Sequence, residues 1–225
     1  MPRTPKICSN CKACGLHIFQ APVFDQLKLS TIFWVGLSAV KFDAHEEKLP
    51  LSPSTASGAL VHSIEAPYLD KLSFYKTNLV KCAPMQGNKL RYPLKHEMAK
   101  CFPNFQWELE TLQPKTVFLL GNQVASFVLQ QFNHSKSVFS DGFNYSSFDM
   151  DGIRFIPIHH PSYMLVYRRK LLAEYMEGVR AHFPVKTSSA VGKKERTSLV
   201  LSSCRPSLEN IKTPSALRSV GNCAG

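Results

Sequence analysis

The chain has 225 residues, and their composition predicts a folded globular protein. Hydrophobic residues make up 44% and charged residues 19%, which supplies a core and excludes wholesale disorder. No run approaches the roughly 18 apolar residues of a membrane span. Lys and Arg outnumber Asp and Glu by 27 to 16, for a net charge of +11. This excess favours a polyanionic partner, with nucleic acid first.

The cysteines and the first residues predict the compartment. Seven cysteines are an odd number in a large chain, which is unlike an exported disulfide framework. The basic start has no apolar segment of the kind that secretory signals carry. We therefore expect a cytoplasmic protein whose thiols stay reduced and are free to bind metal.

A shift in composition near residue 185 predicts where the folded domain ends. Residues 186–225 are rich in Ser, Thr, Lys and Arg and contain no aromatic residue, a composition typical of disorder. We expect one domain over residues 1–185 and a basic, disordered tail over 186–225. The tail is either a solvated appendage or a nonspecific tether to DNA.

Apolar runs and helical patterns alternate along the predicted domain. In chain order they predict a strand at Thr31–Gly36, a helix at Ser57–Leu69, a strand at Phe74–Cys82, a helix at Lys95–Leu112, a strand at Thr116–Gly121, a helix through Gln131, a hairpin around Asp151-Gly152 and a helix at Arg168–Phe183. We expect Pro103 to interrupt the second helix and Asn122 to cap the third. The alternation favours an α/β fold, a three-layer α/β/α sandwich around a short, mainly parallel sheet.

In such a sheet, ligands bind beyond the carboxyl ends of the strands. The segments that follow Gly36, Thr77, Gly121 and Ile158 are therefore where we expect the chemistry.

The cysteines fall into clusters that suggest a metal site. Cys8, Cys11 and Cys14 form C-x2-C-x2-C, while Cys82 and Cys101 lie far downstream. Four thiolates can close a zinc site or hold a [4Fe–4S] cluster, and the spacing alone does not choose between them. Small buried cysteines without a metal are the alternative.

Several motifs together resemble one family. The N-terminal C-x2-C, the segment Thr77–Cys82 (TNLVKC), Cys101 and the segment His160–Tyr163 (HPSY) are similar to motifs of the iron–sulfur uracil-DNA glycosylases. These form a bacterial and archaeal branch of the uracil-DNA glycosylase superfamily. The resemblance runs from about Cys11 to Phe183.

The resemblance implies a set of metal ligands and of DNA contacts. Cys11, Cys14, Cys82 and Cys101 match the ligands of a structural [4Fe–4S] cluster, with zinc as the alternative, and Cys8 is a spare. In the family, the loop after the residue matched by His160 wedges into the DNA. The loop between the last two cysteine ligands lies beside the DNA, where it can contact phosphates. The residues implied for DNA binding are Ser162, Tyr163, Met164, Arg168, Arg169, Lys89 and Arg91. The implied partner is DNA, and no membrane partner is expected. The protein is expected to be a monomer.

The same resemblance assigns roles in the pocket. A glycosylase flips its base into a pocket and reads its edge there. Asn78 matches the family residue that pairs with the base, and His160 matches the donor that stabilises the leaving anion. The resemblance places Gly36, Leu37 and Ser38 around the base.

The sequence departs from the family at two positions. Leu37 stands where the family has a water-activating acid, so we take Asp43 as the candidate general base or support for the sugar cation. Leu51 stands where a Phe stacks on uracil, and Phe42 is the candidate substitute.

These observations predict a monofunctional DNA glycosylase that excises a damaged or modified base, uracil by default, because no pocket motif offers a lysine for Schiff-base chemistry. One alternative is a glycosylase for a bulky modified pyrimidine of phage DNA, acting in anti-phage defence. The other is a catalytically inactive DNA-binding protein that retains the fold.

Overall fold

The computed structural model describes residues 11–42, 49–134 and 142–184. Its main sheet has five strands in the order β2-β1-β5-β7-β6, numbered along the chain. The strands of this sheet are β1 (Ile32–Ser38), β2 (Phe74–Val80), β5 (Thr116–Leu120), β6 (Phe148–Met150) and β7 (Ile153–Ile158). All neighbours are parallel except β6, which pairs antiparallel with β7. The predicted α/β class and mainly parallel sheet are confirmed.

Helices cover both faces of this sheet. They are α1 (Ala56–Glu65), α2 (Lys95–Leu112), α3 (Asn122–Gln131), α4 (Pro161–Tyr167) and α5 (Leu172–Arg180). Side chains alternate between the two faces along a strand, so Ile32 and Trp34 of β1 pack in a core with α1, α4 and α5. Phe33 and Val35 pack in a second core with α2 and α3. The result is the predicted three-layer sandwich.

A small second sheet leaves the carboxyl end of β2. It is the antiparallel pair β3 (Met85–Gln86) and β4 (Lys89–Leu90), and it leads into α2. The predicted hairpin around Asp151-Gly152 is also present, and both residues have positive φ, 51° and 78°, as a tight two-residue hairpin requires.

The structure corrects several predicted boundaries. Pro103 lies inside a continuous α2, because burial of Phe102 and Phe105 in the core outweighs the lost backbone hydrogen bond. Asn122 is the first residue of α3 and Gly121 is the cap. The helix predicted to end at Leu69 ends at Glu65 and continues as a 3-10 turn.

The predicted last helix is divided in the same way. A 3-10 turn at Arg169–Leu171 precedes α5. Within the described residues, no helix is both long and apolar enough to cross a bilayer. The predicted tail over residues 186–225 lies outside the described residues, as does Cys8.

Candidate active site

A cavity of about 240 Å³ opens at the carboxyl edge of the sheet, between β1, β2 and the start of α4. It is the place predicted from the topology. The cavity is lined by Gly36, Leu37, Ser38, Val40, Phe42, Leu49, Pro50, Leu51, Ser52, Thr55, Ser57, Asn78 and His160. All of the predicted pocket residues that the structure describes therefore lie around one space.

Asn78 presents an amide to this cavity. It lies on β2 directly opposite Gly36 of β1 and is 5% exposed. A Cβ at position 36 would collide with Oδ1 of Asn78, so the glycine makes room for the amide. Within the described ranges the Asn78 side chain makes no hydrogen bond, and its donor and acceptor are available to a ligand.

His160 approaches the cavity from the start of α4. It caps the helix: its Nδ1 accepts a hydrogen bond from the backbone N–H of Ser162, with an N–N distance of 3.1 Å. The Ser162 hydroxyl lies 2.8 Å from the same Nδ1. Burial lowers the pKa of His160 from its ordinary value, so the ring is neutral. Because Nδ1 is an acceptor, the single ring proton is on Nε2.

This arrangement predicts a tautomer that can be measured. We expect His160 to be the neutral Nε2–H form at about pH 7 and to gain its second proton only below the usual 6.5, because the charged ring is poorly solvated and loses its bond from the Ser162 N–H. Long-range proton–nitrogen NMR correlations report the protonated nitrogen and the pKa. A Nδ1–H tautomer, or a pKa of His160 at or above the ordinary 6.5, would contradict the assignment.

His159 supports the turn beside the site. The Tyr145 hydroxyl lies 3.0 Å from its Nδ1, and the Tyr175 hydroxyl donates to its carbonyl oxygen at 3.0 Å. His159 does not line the cavity, and its contacts hold the turn that carries His160.

A tight loop forms another wall of the cavity. Leu51 lies in this loop with a φ of 49°, a left-handed conformation that is costly for a non-glycine residue. The Thr55 hydroxyl and its N–H both bond the Ser52 carbonyl, at 2.8 and 2.9 Å. A Cβ on Gly58 of α1 would collide with the carbonyl oxygens of Leu51 and Ser52. The loop is therefore held down on α1.

The other wall carries Val40 and Phe42, which one side chain anchors. Gln20 accepts from the Phe42 N–H and donates to the Val40 carbonyl, both at 3.0 Å. Sequence reasoning missed Gln20, since no local pattern links residues about twenty positions apart. Asp43, the predicted general base, lies outside the described residues and stays a prediction.

Three of the predicted metal ligands pack in one small cluster. Cys82 and Cys101 are buried beside Leu16, and Cys14 packs against them. Burial raises the pKa of the Cys82 thiol to about 12, and the nearby charges of Cys14, Cys101 and Cys11 add to the shift. All four sulfurs are thus within electrostatic reach of one another.

The donor chemistry of this cluster fits a metal that prefers thiolates. Burial raises the pKa of the Cys101 thiol, and the Lys81 N–H, which donates to its Sγ at 3.3 Å, offsets part of that rise. In the described part of the chain, however, no three His, Cys, Asp or Glu side chains are placed close enough to hold a metal ion. The metal therefore stays a prediction.

A buried ionic network ties β2 to α2 behind the site. Nζ of Lys81 lies 2.6 Å from Oε2 of Glu108, and both side chains are at most 1% exposed. The hydroxyls of Tyr75 and Thr77 each donate to Glu108 at 3.0 Å. Since Thr77 and Lys81 flank Asn78 on the same segment, this network fixes the strand that presents the amide.

The predicted DNA-contacting loop after His160 is a helix, which corrects part of the assignment. Pro161 is the first residue of α4, a position that favours helix. Met164 is 0% exposed and belongs to the core, so the prediction that it contacts DNA is wrong for this conformation. Ser162, Tyr163, Arg168 and Arg169 are exposed.

The loop between Cys82 and Cys101 carries two of the predicted DNA contacts. Lys89 is exposed on β4. Arg91 forms two hydrogen bonds with Glu97, at 2.8 and 2.6 Å, and lowers the pKa of that carboxyl. The Arg91 side chain remains 25% exposed, and its contact with phosphate stays a prediction.

Comparison with known proteins identifies the family. The family model described as "Uracil DNA glycosylase superfamily" matches residues 24–183. The crystal structure of wild-type SMUG2 from Pedobacter heparinus is similar in fold, with a TM-score of 0.44 and 13% sequence identity. That alignment covers 69% of this chain and 75% of the other. No curated protein sequence matches. Because the family model spans well over half of the chain, including every strand of the main sheet and all five described α-helices, this chain belongs to the uracil-DNA glycosylase superfamily.

Proposed function

We propose that the chain is a monofunctional DNA glycosylase that excises a damaged or modified base, with uracil as the default substrate. The observation that supports this most is the shared cavity, in which the unbonded amide of Asn78 faces the same space as His160. Membership of the superfamily supports a hydrolase of N-glycosyl bonds that acts on DNA.

Each pocket residue has a task in this reaction. The flipped base offers a donor and an acceptor on its edge, and the Asn78 amide complements both. As the glycosidic bond breaks, the electron pair stays on the base and the sugar becomes cationic. Nε2–H of His160 donates to the anion that develops on the base, in a site prepared for that charge. Water then adds to the sugar, and its proton is taken up by a base, for which we propose Asp43.

A second candidate is a glycosylase for a bulky modified pyrimidine, acting in defence against phage. Leu37 and Leu51 both line the cavity, and they replace an acid and an aromatic residue that the resemblance places there. Shorter, aliphatic walls leave more width for a substituted base than a stacking ring would.

An abasic-site assay tests the proposal and separates the alternatives. Single-turnover reactions with uracil-containing, modified-pyrimidine and undamaged DNA are expected to give abasic product from at least one of the first two. Product from the modified base with little from uracil would support the second candidate. If no substrate gives abasic product but the protein still binds DNA, the result would support the alternative of a catalytically inactive DNA-binding protein.

We further propose that DNA lies across the exposed residues around the cavity. Ser162, Tyr163, Arg168 and Arg169 lie on or just after α4, and Lys89 lies on β4. Ser162 and Tyr163 begin the helix that follows β7, and Lys89 lies in the segment that follows β2, so these three leave the edge of the sheet that holds the cavity. We propose a cytoplasmic monomer, since one chain supplies all of these groups.

The four cysteines Cys11, Cys14, Cys82 and Cys101 are proposed to hold a [4Fe–4S] cluster, with zinc as the alternative. When bound, the metal would join the turn at Cys11–Cys14 to the end of β2 and to α2. These segments already pack together through Leu16, so the metal's contribution would be structural.

The cluster proposal predicts a visible property. Purified protein is expected to be brown with broad visible absorption, and Cys11→Ser is expected to lose this colour and much of the stability. Cys8→Ser is the matched control and should keep both. A colourless folded protein that contains one zinc ion would contradict the iron–sulfur cluster and support zinc. Equal losses in Cys8→Ser and Cys11→Ser would show that the choice of Cys11 and Cys14 as the N-terminal ligand pair is wrong.

A further inference from the structure

The pocket wall formed by Val40 and Phe42 is not held by packing in the core. Val40 is 43% exposed, and neither side chain belongs to a core cluster of the described residues. Within the described ranges, the last backbone hydrogen bond that ties this segment to the sheet runs from the Ala39 N–H to the Val80 carbonyl oxygen, at 3.0 Å. The wall therefore depends on another attachment to keep its place beside the cavity.

Gln20 supplies that attachment with both ends of its side-chain amide. Its Oε1 accepts from the Phe42 N–H and its Nε2 donates to the Val40 carbonyl oxygen, each at 3.0 Å. A side-chain amide carries the same donor and acceptor as a peptide group, so Gln20 bonds residues 40 and 42 as a neighbouring strand would. In the part of the chain that the structure describes, no other residue hydrogen-bonds to the backbone of residues 40–42.

The position of Gln20 is set by the segment at the carboxyl end of β2. Four residues before Gln20, Leu16 is 3% exposed and packs in a cluster with Cys82. Three residues after Gln20, the Val23 N–H donates to the Lys81 carbonyl oxygen at 2.8 Å. The chain is therefore attached to the end of β2 on both sides of Gln20.

We propose that Gln20 is a positioning residue for the base, because it fixes the wall at Val40 and Phe42 relative to the amide of Asn78. Asn78 lies on β2, to which the Gln20 segment is attached, and the wall lines the same cavity. A base that pairs with Asn78 then meets the wall at a set distance, and its shape is tested together with its edge. The inference rests on the proposed function, since it assigns the cavity to a flipped base.

Gln20→Met tests this role, because it removes both hydrogen bonds and nearly keeps the length of the side chain. With a base that the parent excises, the half-saturation concentration in single-turnover reactions is expected to rise roughly 5- to 150-fold, the effect of two lost hydrogen bonds. The maximal rate should fall much less, because the donor on His160 is unchanged. A loss of fold alone would not separate these two quantities.

A second measurement does not depend on excision. Binding of free uracil, followed by the NMR resonances of the Asn78 side-chain amide, should weaken by a similar factor in Gln20→Met, and hydrogen exchange of the Phe42 amide should become faster. Gln26→Met is the matched control, because Gln26 is exposed in the same N-terminal segment and, among the described residues, its side chain makes no hydrogen bond. This control should keep the parent's values.

The possible results separate the inference from the proposed function. With an active parent, an unchanged half-saturation concentration in Gln20→Met, or equal changes in Gln20→Met and Gln26→Met, would overturn the inference and leave the proposed function intact. A parent that excises no base would overturn the proposed function. Uracil binding would then decide the inference: weaker binding by Gln20→Met than by the parent supports it, while equal binding, or no binding by the parent, overturns it.

Discussion

Replacement of His160 by alanine is expected to slow the single-turnover excision of a susceptible base by about 10²–10³-fold, the usual effect of losing a prepared donor to a developing anion. DNA affinity should change little, because the donor interaction strengthens only as charge develops on the leaving base. Rapid-quench measurement of abasic product under saturating enzyme gives the rate, and binding of undamaged DNA gives the affinity.

A conservative variant distinguishes the donor role of His160 from a structural one. His160→Gln retains an N–H donor and is expected to recover part of the rate that His160→Ala loses. The role of Asn78 is tested separately: Asn78→Asp is expected to change which base is removed, because the carboxylate has lost the amide's donor. If His160→Ala keeps the full rate on a substrate that the parent cleaves, the assignment of the leaving-group donor is wrong.

Removal of Glu108 alone is expected to lower the free energy of unfolding by about 3–5 kcal/mol, because Lys81 is then left charged and buried without its partner. Glu108→Ala, measured by chemical denaturation, is the direct test. The double variant Lys81→Met/Glu108→Leu should recover much of the loss, since it removes both charges from the core.

The matched control is an ion pair on the surface. Arg154 and Asp149 are 53% and 69% exposed and lie 3.4 Å apart, and such pairs contribute about 0–1 kcal/mol. Asp149→Ala should therefore change stability little. A loss of similar size in Asp149→Ala and Glu108→Ala would contradict the argument from burial.

Much of the site could be predicted because it follows from the topology. Short apolar runs gave the strands, and parallel strands bring their carboxyl ends to one edge. Asn78 and His160, which are far apart in the sequence, meet at that edge for this reason. The part of the pocket taken from family motifs, including Leu51 and Phe42, lines the same cavity.

What the sequence could not show are contacts that depend on how α2 packs. No local pattern indicates that Lys81 of the β2 segment pairs with Glu108 of α2, because the two residues are far apart in the chain. The error at Met164 had a visible signal, because a proline directly after the capping residue favours a helix. The resemblance to a DNA-contacting loop outweighed that signal.

The contact between Gly58 and the loop at Leu51 offers a route to altered specificity. Gly58 does not line the cavity, yet any larger side chain there must displace the carbonyls of Leu51 and Ser52. The shape of the base pocket therefore depends on a position that does not line it. Selection for altered base specificity would be expected to find substitutions at position 58 as well as among the lining residues, at a cost in stability.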